Sequence, residues 1–307
     1  MVWSGLQVPP SARGGIVTIG NFDGVHRGHQ VMLSVLSQQA KQQSRPVVVV
    51  TFDPHPINVL KPDVCLPRLS TIATRTALLK QHGAAEIVVL PVDTELLSMQ
   101  PEDFFRVVVQ GQLEAVGIVE GPDFHFGKDR RGNTTILSEL CANSNVGLTI
   151  IPAVSQAGTL ISSTYIRRLL SEGQVAAAVN LFGHTYTISG MVTRGAGRGR
   201  ELGIPTANLT DVPEMLPRNG VYAAVCDVKN QRYPVAVSIG PNPTFQENCP
   251  KVECHIIDFS GDLYETTLTV DLISEIRDLK PFADADELVR QIAEDITVSR
   301  QMFETAK

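Results

Sequence analysis

Short apolar runs alternate with amphipathic segments through the first half of the chain. The runs at 16–19 and 47–52 are continuous and rich in β-branched residues, which is typical of strands buried in a parallel sheet. Between them, apolar residues from 32 to 40 recur at helical spacing. Further predicted elements are helices at 74–82, 101–109 and 135–142 and strands at 86–92, 116–120 and 148–151. This rhythm predicts an α/β domain with a right-handed parallel sheet, whose ligands bind beyond the carboxyl ends of the strands.

The pattern changes after a predicted helix at 174–182. Short strands with turn signals follow, without helices between them, at 186–193, 220–228, 233–239, 252–259 and 268–272. Such spacing predicts an antiparallel β-barrel. A last helix, from about 286 to 304, carries Leu288, Ile292 and Ile296 on one face and should pack on the barrel. We therefore predict two domains, 1–183 and 184–307.

Composition limits the kinds of partner. The chain has 307 residues, 43% of them hydrophobic, which is enough for more than one core. Its net charge of -6 argues against nucleic-acid binding through a broad basic surface. The five scattered cysteines lack metal-site spacing, and no apolar run reaches the length of a signal peptide or a membrane span. We expect a cytoplasmic protein without a membrane partner, and oligomeric state stays open.

The stretch Gly20-Asn21-Phe22-Asp23-Gly24-Val25-His26-Arg27-Gly28-His29 joins the first predicted strand to its helix. The first amide groups of a helix have no partner and its dipole is positive there, so an anion can bind at such a turn. His26 and His29 are three residues apart and share a helical face, from which both could reach the same phosphate. Gly28 would let a phosphate approach the backbone. The alternative is a helix cap and a surface histidine.

A second group of donors follows the sheet, in Ile161-Ser162-Ser163-Thr164-Tyr165-Ile166-Arg167-Arg168. The hydroxyl residues can simply cap a helix. Together with two arginines, whose planar forks hold phosphate oxygens in pairs, they can also form an anion site.

In the second half, Gly195-Ala196-Gly197-Arg198-Gly199-Arg200 leads into Gly203-Ile204-Pro205-Thr206-Ala207-Asn208. This is neither a Walker loop nor a dinucleotide fingerprint. The glycines could wrap a phosphate, with Arg198 and Arg200 as counter-charges, or could form a flexible loop. The Thr206 hydroxyl and the Asn208 carbonyl are oxygen ligands that suit Mg²⁺ carried by ATP.

Glu253 lies in a predicted strand whose alternation puts it with His255 and Ile257 on one face, opposite Val252 and Cys254. A carboxylate beside a barrel cavity could accept the proton of a hydroxyl that attacks ATP. It could also be an ordinary surface glutamate.

Two more loops follow strands of the sheet. In Thr51-Phe52-Asp53-Pro54-His55-Pro56 the prolines give a stiff turn, and His55 could hydrogen-bond or stack against a ring. In Gly121-Pro122-Asp123-Phe124-His125-Phe126-Gly127 the phenylalanines could contact a ligand or fill the local core.

Taken in order, these motifs resemble those of the bacterial bifunctional riboflavin kinase/FAD synthetases. The first turn is similar to the H-x-G-H signature of nucleotidyltransferases in the form that these enzymes carry, and the sheet half also contains T-F-D-P-H-P, D-F-x-F-G and I-S-S-T-x-I-R. The second half matches G-x-P-T-A-N and V-E-x-H-x-x-D-F of riboflavin kinases, together with 219–222 and 243–245.

The resemblance implies a Rossmann-like FMN adenylyltransferase domain followed by a riboflavin kinase barrel. The barrel would phosphorylate riboflavin with ATP and Mg²⁺, using Glu253 as base, and the sheet domain would transfer AMP from a second ATP to FMN, giving FAD and pyrophosphate. His26 and His29 would stabilise that second transition state.

The resemblance also implies the binding residues. Those for ATP and phosphate are Gly20, Asn21, Phe22, Gly28, Ser163, Thr164, Arg167, Gly197, Arg200, Thr206 and Asn208, of which Thr206 and Asn208 would bind the metal. Those for flavin are Asp53, Pro54, His55, Pro56, Asp123, Phe124 and Phe126.

The chain departs from the family pattern at Asn133, Tyr165, Asn242 and Glu265. Arg168 could replace an arginine that many relatives carry at the position of Tyr165. Two other functions remain open: a nucleotidyltransferase for another phosphorylated acceptor, and a flavin sensor without catalysis.

Overall fold

The computed structural model describes residues 2–4, 8–64, 66–195, 199, 203–241 and 251–305. Backbone contacts divide the chain into two compact units. The sheet unit comprises Met1–Pro67 and Thr71–Ser162, and the barrel unit comprises Arg68–Ser70 and Ser163–Lys307.

The sheet unit contains a six-stranded parallel sheet with the strand order β1-β4-β3-β2-β5-β6. Its strands are β1 (Val2–Ser4), β2 (Ile16–Ile19), β3 (Val47–Asp53), β4 (Glu86–Pro91), β5 (Gly117–Glu120) and β6 (Gly147–Ile150). Its helices are α1 (Arg27–Gln42), α2 (Pro56–Leu60), α3 (Ile72–Gln81), α4 (Thr94–Ser98), α5 (Pro101–Phe104) and α6 (Thr134–Asn143). A small hairpin follows, made of β7 (Ser155–Gln156) and β8 (Thr159–Leu160).

Successive residues of the central strands enter cores on opposite faces of this sheet. Val48 and Val50 belong to one buried cluster, and Val49 belongs to the other. The apolar run of β3 therefore supplies both cores, which is why it shows no polar alternation. The predicted parallel α/β domain is confirmed.

One helix of this unit differs from the prediction for 101–109. It begins as α5 at Pro101, but continues as a π-helix over Phe105–Gln112. The amide of Leu113 donates to the carbonyl of Val108 at its end. Hydrophobic periodicity predicts the segment but is too coarse to separate this wider helix from an α-helix.

The barrel unit contains a closed antiparallel barrel with the order β10-β13-β12-β11-β14-β9. The strands are β9 (Tyr186–Thr193), β10 (Ala207–Thr210), β11 (Gly220–Val228), β12 (Gln231–Gly240), β13 (Lys251–Ile256) and β14 (Thr267–Arg277). The predicted antiparallel barrel is confirmed. One of its strands, β10, is not predicted by the sequence pattern. Only four residues long and polar at Asn208, it gives little periodic signal, yet it closes the barrel between β9 and β13.

The barrel unit also contains the helices α7 (Ser163–Ser171), α8 (Val175–Phe182) and α9 (Ala285–Thr305). The terminal helix α9 packs against β11 and β12, as predicted. Asp295 of α9 is buried and receives three hydrogen bonds from Nε and Nη2 of Arg277 of β14, at 2.8 to 3.2 Å. The contact division falls between Ser162 and Ser163, so α7 and α8 group with the barrel. The domain boundary at 183–184 stays a prediction.

Candidate functional site

The turn between β2 and α1 has an unusual backbone. Phe22 and Val25 adopt positive φ angles of 47° and 39°, which are disfavoured for aromatic and β-branched residues. Both side chains are buried in the core cluster on the α1 face of the sheet, and the amide of Val25 donates to the carbonyl of Phe22 at 3.1 Å. Packing therefore holds a strained loop in one shape, a common property of ligand sites.

His26 and His29 lie together at the start of α1. Their rings stack with centroids 3.7 Å apart, and the ring of Phe22 meets His29 edge-on at 5.1 Å. His26 is the N-cap, and its Nδ1 accepts the backbone N–H of His29 at 3.4 Å. A neutral His26 ring therefore carries its proton on Nε2. The sequence left open whether these histidines form a helix cap or share one helical face. Both arrangements occur, because His26 caps α1 and its ring also stacks on His29.

Gly28 has a steric reason to lack a side chain. A Cβ there would lie 3.1 Å from the His26 ring, and 3.7 Å from the carbonyl of Ile161. The space beside Gly28 is therefore occupied by the imidazole. Whether a phosphate also approaches this backbone stays a prediction.

Two atoms of this turn are buried without a hydrogen-bond partner in the described part of the chain, Asn21 Oδ1 and His29 Nδ1. Such atoms cost roughly 1–3 kcal/mol each when nothing satisfies them. Burial, together with the charges of His26 and Arg75, lowers the pKa of His29 well below its usual value. The His29 ring is therefore neutral at neutral pH, and a ligand can supply the missing partners.

The turn lies at the switch point of the sheet. From β2 the chain proceeds through β3 and β4 on one side, whereas β5 and β6 extend the other side. The ladder pairs of β2 and β5 are Ile16 with Gly117 and Val17 with Ile118, and beyond them Glu120 Oε1 accepts the amide of Ile19 at 2.7 Å. Burial raises the pKa of Glu120 well above its usual value. Ligands of open α/β sheets bind in the crevice at this position.

The two predicted flavin loops follow β3 and β5. His55 is the N-cap of α2, and its Nδ1 accepts the amide of Ile57 at 3.2 Å. Phe126 is buried and lies 5.4 Å from Phe124, ring to ring, in a stacked arrangement. Phe126 thus has the core role that the sequence left open. Flavin contacts for Asp53, Pro54, His55, Pro56, Asp123, Phe124 and Phe126 stay predictions.

Ser163, Thr164 and Arg167 lie in the first turns of α7, in the barrel unit. Arg168 is exposed, its guanidinium carbon lies 4.7 Å from the centre of the Tyr165 ring, and its Nε is 3.7 Å from Glu172. Arg168 thus has its own contacts on the helix surface. The phosphate roles stay predictions.

In the barrel, Asn208 and Glu253 are brought together. They are directly opposite each other in the pairing of β10 with β13. Side chains in such a pair have Cβ atoms about 4.5–5.5 Å apart on one face of the sheet. The predicted alternation holds within β13, with Val252, Cys254 and Ile256 buried and Glu253 and His255 partly exposed, whereas Ile257 follows the end of the strand and is buried. The carboxylate and a proposed metal ligand thus share a surface.

Glycine and histidine fix the approach to this pair. A Cβ at Gly195 would lie 2.8 Å from Asn208 Cγ and Oδ1, so the absence of a side chain makes room for the amide. His255 Nδ1 lies 2.8 Å from the carbonyl of Pro205, which requires the proton on that nitrogen. His255 thereby holds the residue before Thr206 in place.

A cavity of about 570 Å³ opens on the other face of the same strands. Arg194 stacks on Tyr264 at its wall, 5.3 Å from the ring centre. Thr206, just before β10, contributes to the wall of this cavity, and Asn208 and Glu253 are not among its lining residues. The lining residues are Val192, Arg194, Pro205, Thr206, Ala207, Cys254, Ile256, Phe259, Ser260, Gly261, Asp262, Leu263 and Tyr264.

Several predicted positions lie outside the described residues. These are Gly197, Arg198 and Arg200 of the glycine-rich loop, and Asn242 with the segment 243–245. Gly199 is described, and its carbonyl accepts the amide of Ile204 at 2.7 Å.

Three residues at the two sites are absent from the predicted set: Arg75, Glu120 and His255. Arg75 is a charged residue on the apolar face of α3, one turn before Leu79. A charge at an apolar position is visible in the sequence and could have indicated a buried functional residue. Glu120 is a carboxylate at the end of an otherwise apolar strand, and this charge at a buried position is visible in the sequence in the same way. The strand alternation predicts the correct face for His255, but its hydrogen bond to Pro205 depends on a residue fifty positions away in the chain.

The fold defines a class: a parallel α/β unit with two stacked histidines at the turn after β2, in one chain with a closed antiparallel barrel. Comparison with protein families agrees, since the FAD synthetase model matches residues 8–165 and the riboflavin kinase model matches residues 182–303. The chain belongs to the family of bifunctional riboflavin kinase/FMN adenylyltransferases.

Curated relatives with that description cover nearly the whole chain. The protein from Escherichia coli K12 is 32% identical over 295 residues, which is 96% of this chain and 94% of the relative. The Pseudomonas fluorescens protein is 34% identical over 295 residues, covering 95% and 94%. The Bacillus subtilis protein is 32% identical over 285 residues, covering 91% and 90%.

A crystal structure described as a macrolide-efflux protein from Streptococcus pneumoniae has a similar fold. It is 33% identical, with a TM-score of 0.86 and 95% of both chains covered. Within the described residues of the present chain, every helix is too short or too polar to span a membrane.

Proposed function

We propose that the chain converts riboflavin to FMN in its barrel unit and FMN to FAD in its sheet unit, with ATP as co-substrate of both steps. Family membership supports the two activities. The observation that carries the adenylylation site is the stacked pair His26 and His29, with buried atoms that lack partners in the described part of the chain.

In the sheet unit, the phosphate of FMN attacks the α-phosphorus of ATP, and the bond from this phosphorus to the bridging oxygen of pyrophosphate breaks. The attacking oxygen is already anionic, so this step needs no protein base. It needs donors for the charge that develops on the phosphorus oxygens. We assign this role to His26, His29 and the amides of the Gly20–Phe22 turn, with Ser163, Thr164 and Arg167 as further phosphate ligands.

The neutral state of His29 suits this task. A buried neutral imidazole can be an N–H donor without the cost of burying a second cation beside Arg75. Arrival of a polyphosphate adds negative charge and favours the protonated form. His29 thus stays uncharged when no substrate is bound and responds electrostatically to ATP.

In the barrel unit, Glu253 accepts the proton of the riboflavin hydroxyl as the hydroxyl oxygen attacks the γ-phosphorus of ATP, and the bond from this phosphorus to the bridging oxygen of ADP breaks, so that ADP leaves. The position of Glu253 opposite Asn208 supports this role, because the base then lies beside the residue proposed to bind the metal of ATP. Gly197 and Arg200 are proposed to bind phosphate, although both are outside the described residues.

The donors available fit Mg²⁺. Thr206 contributes a hydroxyl and Asn208 a carbonyl, both hard oxygen ligands, and the missing Cβ of Gly195 leaves room for the Asn208 amide. Mg²⁺ usually takes only one or two ligands from the protein when it arrives with a nucleotide. When bound, the ion would neutralise charge on the phosphates being transferred.

We also propose a cytoplasmic location, as the cysteine pattern suggests.

The test is product identification. Purified protein is incubated with MgATP and riboflavin, or with MgATP and FMN, and the products are separated by chromatography. We expect FMN and FAD from riboflavin, and FAD and pyrophosphate from FMN. Phosphopantetheine and nicotinate mononucleotide are the control acceptors. Adenylylation of one of these in place of FMN, or no flavin product, would contradict the proposal.

A further inference from the structure

Arg75 is a buried arginine of the sheet unit. Its side chain is only 5% exposed, on the face of α3 that also carries Leu79. Arginine is rarely buried unless its N–H donors have partners, because desolvating an unpaired guanidinium is costly. Its partners therefore indicate what it holds.

The guanidinium reaches both substrate loops. Nη2 donates to Asp23 Oδ1 at 3.3 Å, within the β2–α1 turn. Nη1 donates to the carbonyl of Phe52 at 3.1 Å and to Thr51 Oγ1 at 3.4 Å, at the end of β3. Thr51 in turn donates from Oγ1 to the carbonyl of Asn21 at 3.0 Å. These contacts connect the two loops through one network.

Each end of the network continues directly into proposed substrate contacts. Asn21 and Asp23 belong to the turn that ends at His26, and Phe52 precedes the 53–56 flavin loop. A planar fork with donors in fixed directions can set the distance between two loops, whereas a flexible ammonium group cannot hold several contacts in the same way. Asp23, at 3% exposure, forms an ion pair with the arginine.

Arg75 also acts on the histidine pair through its charge. His29 faces His26 on α1 and feels Arg75 from α3, and both charges, after burial, disfavour its protonation. The same side chain thus affects the geometry of the turn and the protonation of His29.

We infer that Arg75 is a positioning residue for FMN adenylylation, which holds the phosphate-binding turn at a fixed distance from the 53–56 flavin loop. The inference rests on the proposed function of the sheet unit. It involves no contact between Arg75 and a substrate.

The first test is Arg75→Met, with Lys80→Met as the matched control, because Lys80 is an exposed cation on the same helix. Steady-state kinetics of FAD formation are measured with FMN and ATP varied separately. We expect kcat/KM to fall on the order of 100-fold, the loss typical of misplaced reacting groups, with KM raised for both substrates. Lys80→Met should match the wild type. FMN formation from riboflavin, measured in the same preparations, should be unchanged.

Two further variants separate positioning from the effect of a lone buried charge. Arg75→Met removes the ion pair of Asp23 and keeps its charge, whereas Asp23→Asn/Arg75→Met removes both charges. Arg75→Lys keeps the charge and loses the fork. Both should still show raised KM values for ATP and for FMN, because neither restores the link between the loops.

The protonation of His29 gives a second readout, measured by NMR titration of its imidazole. Its pKa should rise in Arg75→Met, stay near the wild-type value in Arg75→Lys and be unaffected by Lys80→Met. A residue that only stabilises the fold would lower the melting temperature and leave these values and both KM values unchanged.

Wild-type KM values in Arg75→Lys and in the double variant would overturn the inference, whatever happens to Arg75→Met. Failure of the proposed function gives a different result, since the wild-type protein would then form no FAD at all.

Discussion

At the scale of single residues, His29 combines three features that rarely coincide: ring stacking on His26, a neutral state imposed by burial, and a buried Nδ1 that finds no partner within the described residues. A surface histidine would show none of them. Together they indicate a group prepared to bind an anion.

We predict that His29→Gln lowers the rate of FAD formation from FMN on the order of 100- to 1,000-fold, the usual effect of removing one transition-state donor. FMN formation from riboflavin should be unaffected, because it occurs in the barrel unit. The control is His82→Gln, at the carboxyl end of α3. Initial rates with saturating ATP measure the effect, and an equal loss in the control would contradict the assignment.

The same histidine makes stability depend on pH. Its folded pKa is lowered well below 6.5, so the unfolded chain binds more protons below that pH. This contribution to stability is full above pH 6.5 and decreases as the pH falls toward the folded pKa. Glu120 has a raised pKa, so its contribution to stability changes with pH in the opposite direction. Comparing the wild type with His29→Gln isolates the contribution of His29.

We expect the difference in unfolding free energy between these two proteins to change between pH 7 and pH 5, with the wild type losing more. Urea denaturation at several pH values measures it. Parallel pH profiles would mean that His29 is not held neutral in the folded state.

At the scale of elements, β10 shows how a four-residue strand organises a site. It places Asn208 opposite Glu253, and it packs so closely on the preceding loop that Gly195 has no room for a Cβ. We predict that Gly195→Ala displaces the Asn208 amide, raises KM for MgATP in riboflavin phosphorylation and leaves FAD formation intact.

A matched control for this substitution is Gly147→Ala in β6, where a Cβ would make only ordinary contacts, at 3.6 Å or more. Titration of Mg²⁺ in the kinase assay would show whether the metal affinity has weakened. Unchanged Mg²⁺ dependence in Gly195→Ala would argue against Asn208 as a ligand.

The terminal helix depends on the pair Arg277 and Asp295, whose side chains are 18% and 4% exposed. Asp295→Ala leaves a partly buried guanidinium without its partner, which should cost about 3 kcal/mol, the low end for buried pairs because Arg277 keeps some access to water. Urea denaturation followed by circular dichroism measures the loss. Glu294→Ala, an exposed neighbour, should cost far less.

Sequence patterns predicted most elements because their signals are local. The valine run of β3 and the glycine after α8 at Gly183, which has a φ of 74°, are examples. Features that depend on distant contacts were missed. The pairing of Asp23 with Arg75 spans 52 residues, and β10 becomes a strand only because β9 and β13 offer it partners. Such contacts leave no periodic trace in the sequence.

At the scale of the whole molecule, the two units supply different chemistry. We propose that the sheet unit stabilises charge with the His26 and His29 imidazoles and needs no base, whereas the barrel unit combines a carboxylate with oxygen ligands for a metal. The catalytic groups proposed for FAD formation lie in the sheet unit, and those proposed for FMN formation lie in the barrel unit. The phosphate ligands proposed in α7 are the exception, because α7 groups with the barrel unit but is assigned to FAD formation. The two activities should therefore be separable by single substitutions.

The measurement that tests this account most directly is product analysis of Glu253→Gln, with the exposed Glu304→Gln as control. Loss of the base should reduce FMN formation from riboflavin on the order of 100- to 10,000-fold. FAD formation from supplied FMN should equal that of the wild type and of the control. Retained phosphorylation of riboflavin, or loss of both products, would contradict two independent sites with Glu253 as the base of one.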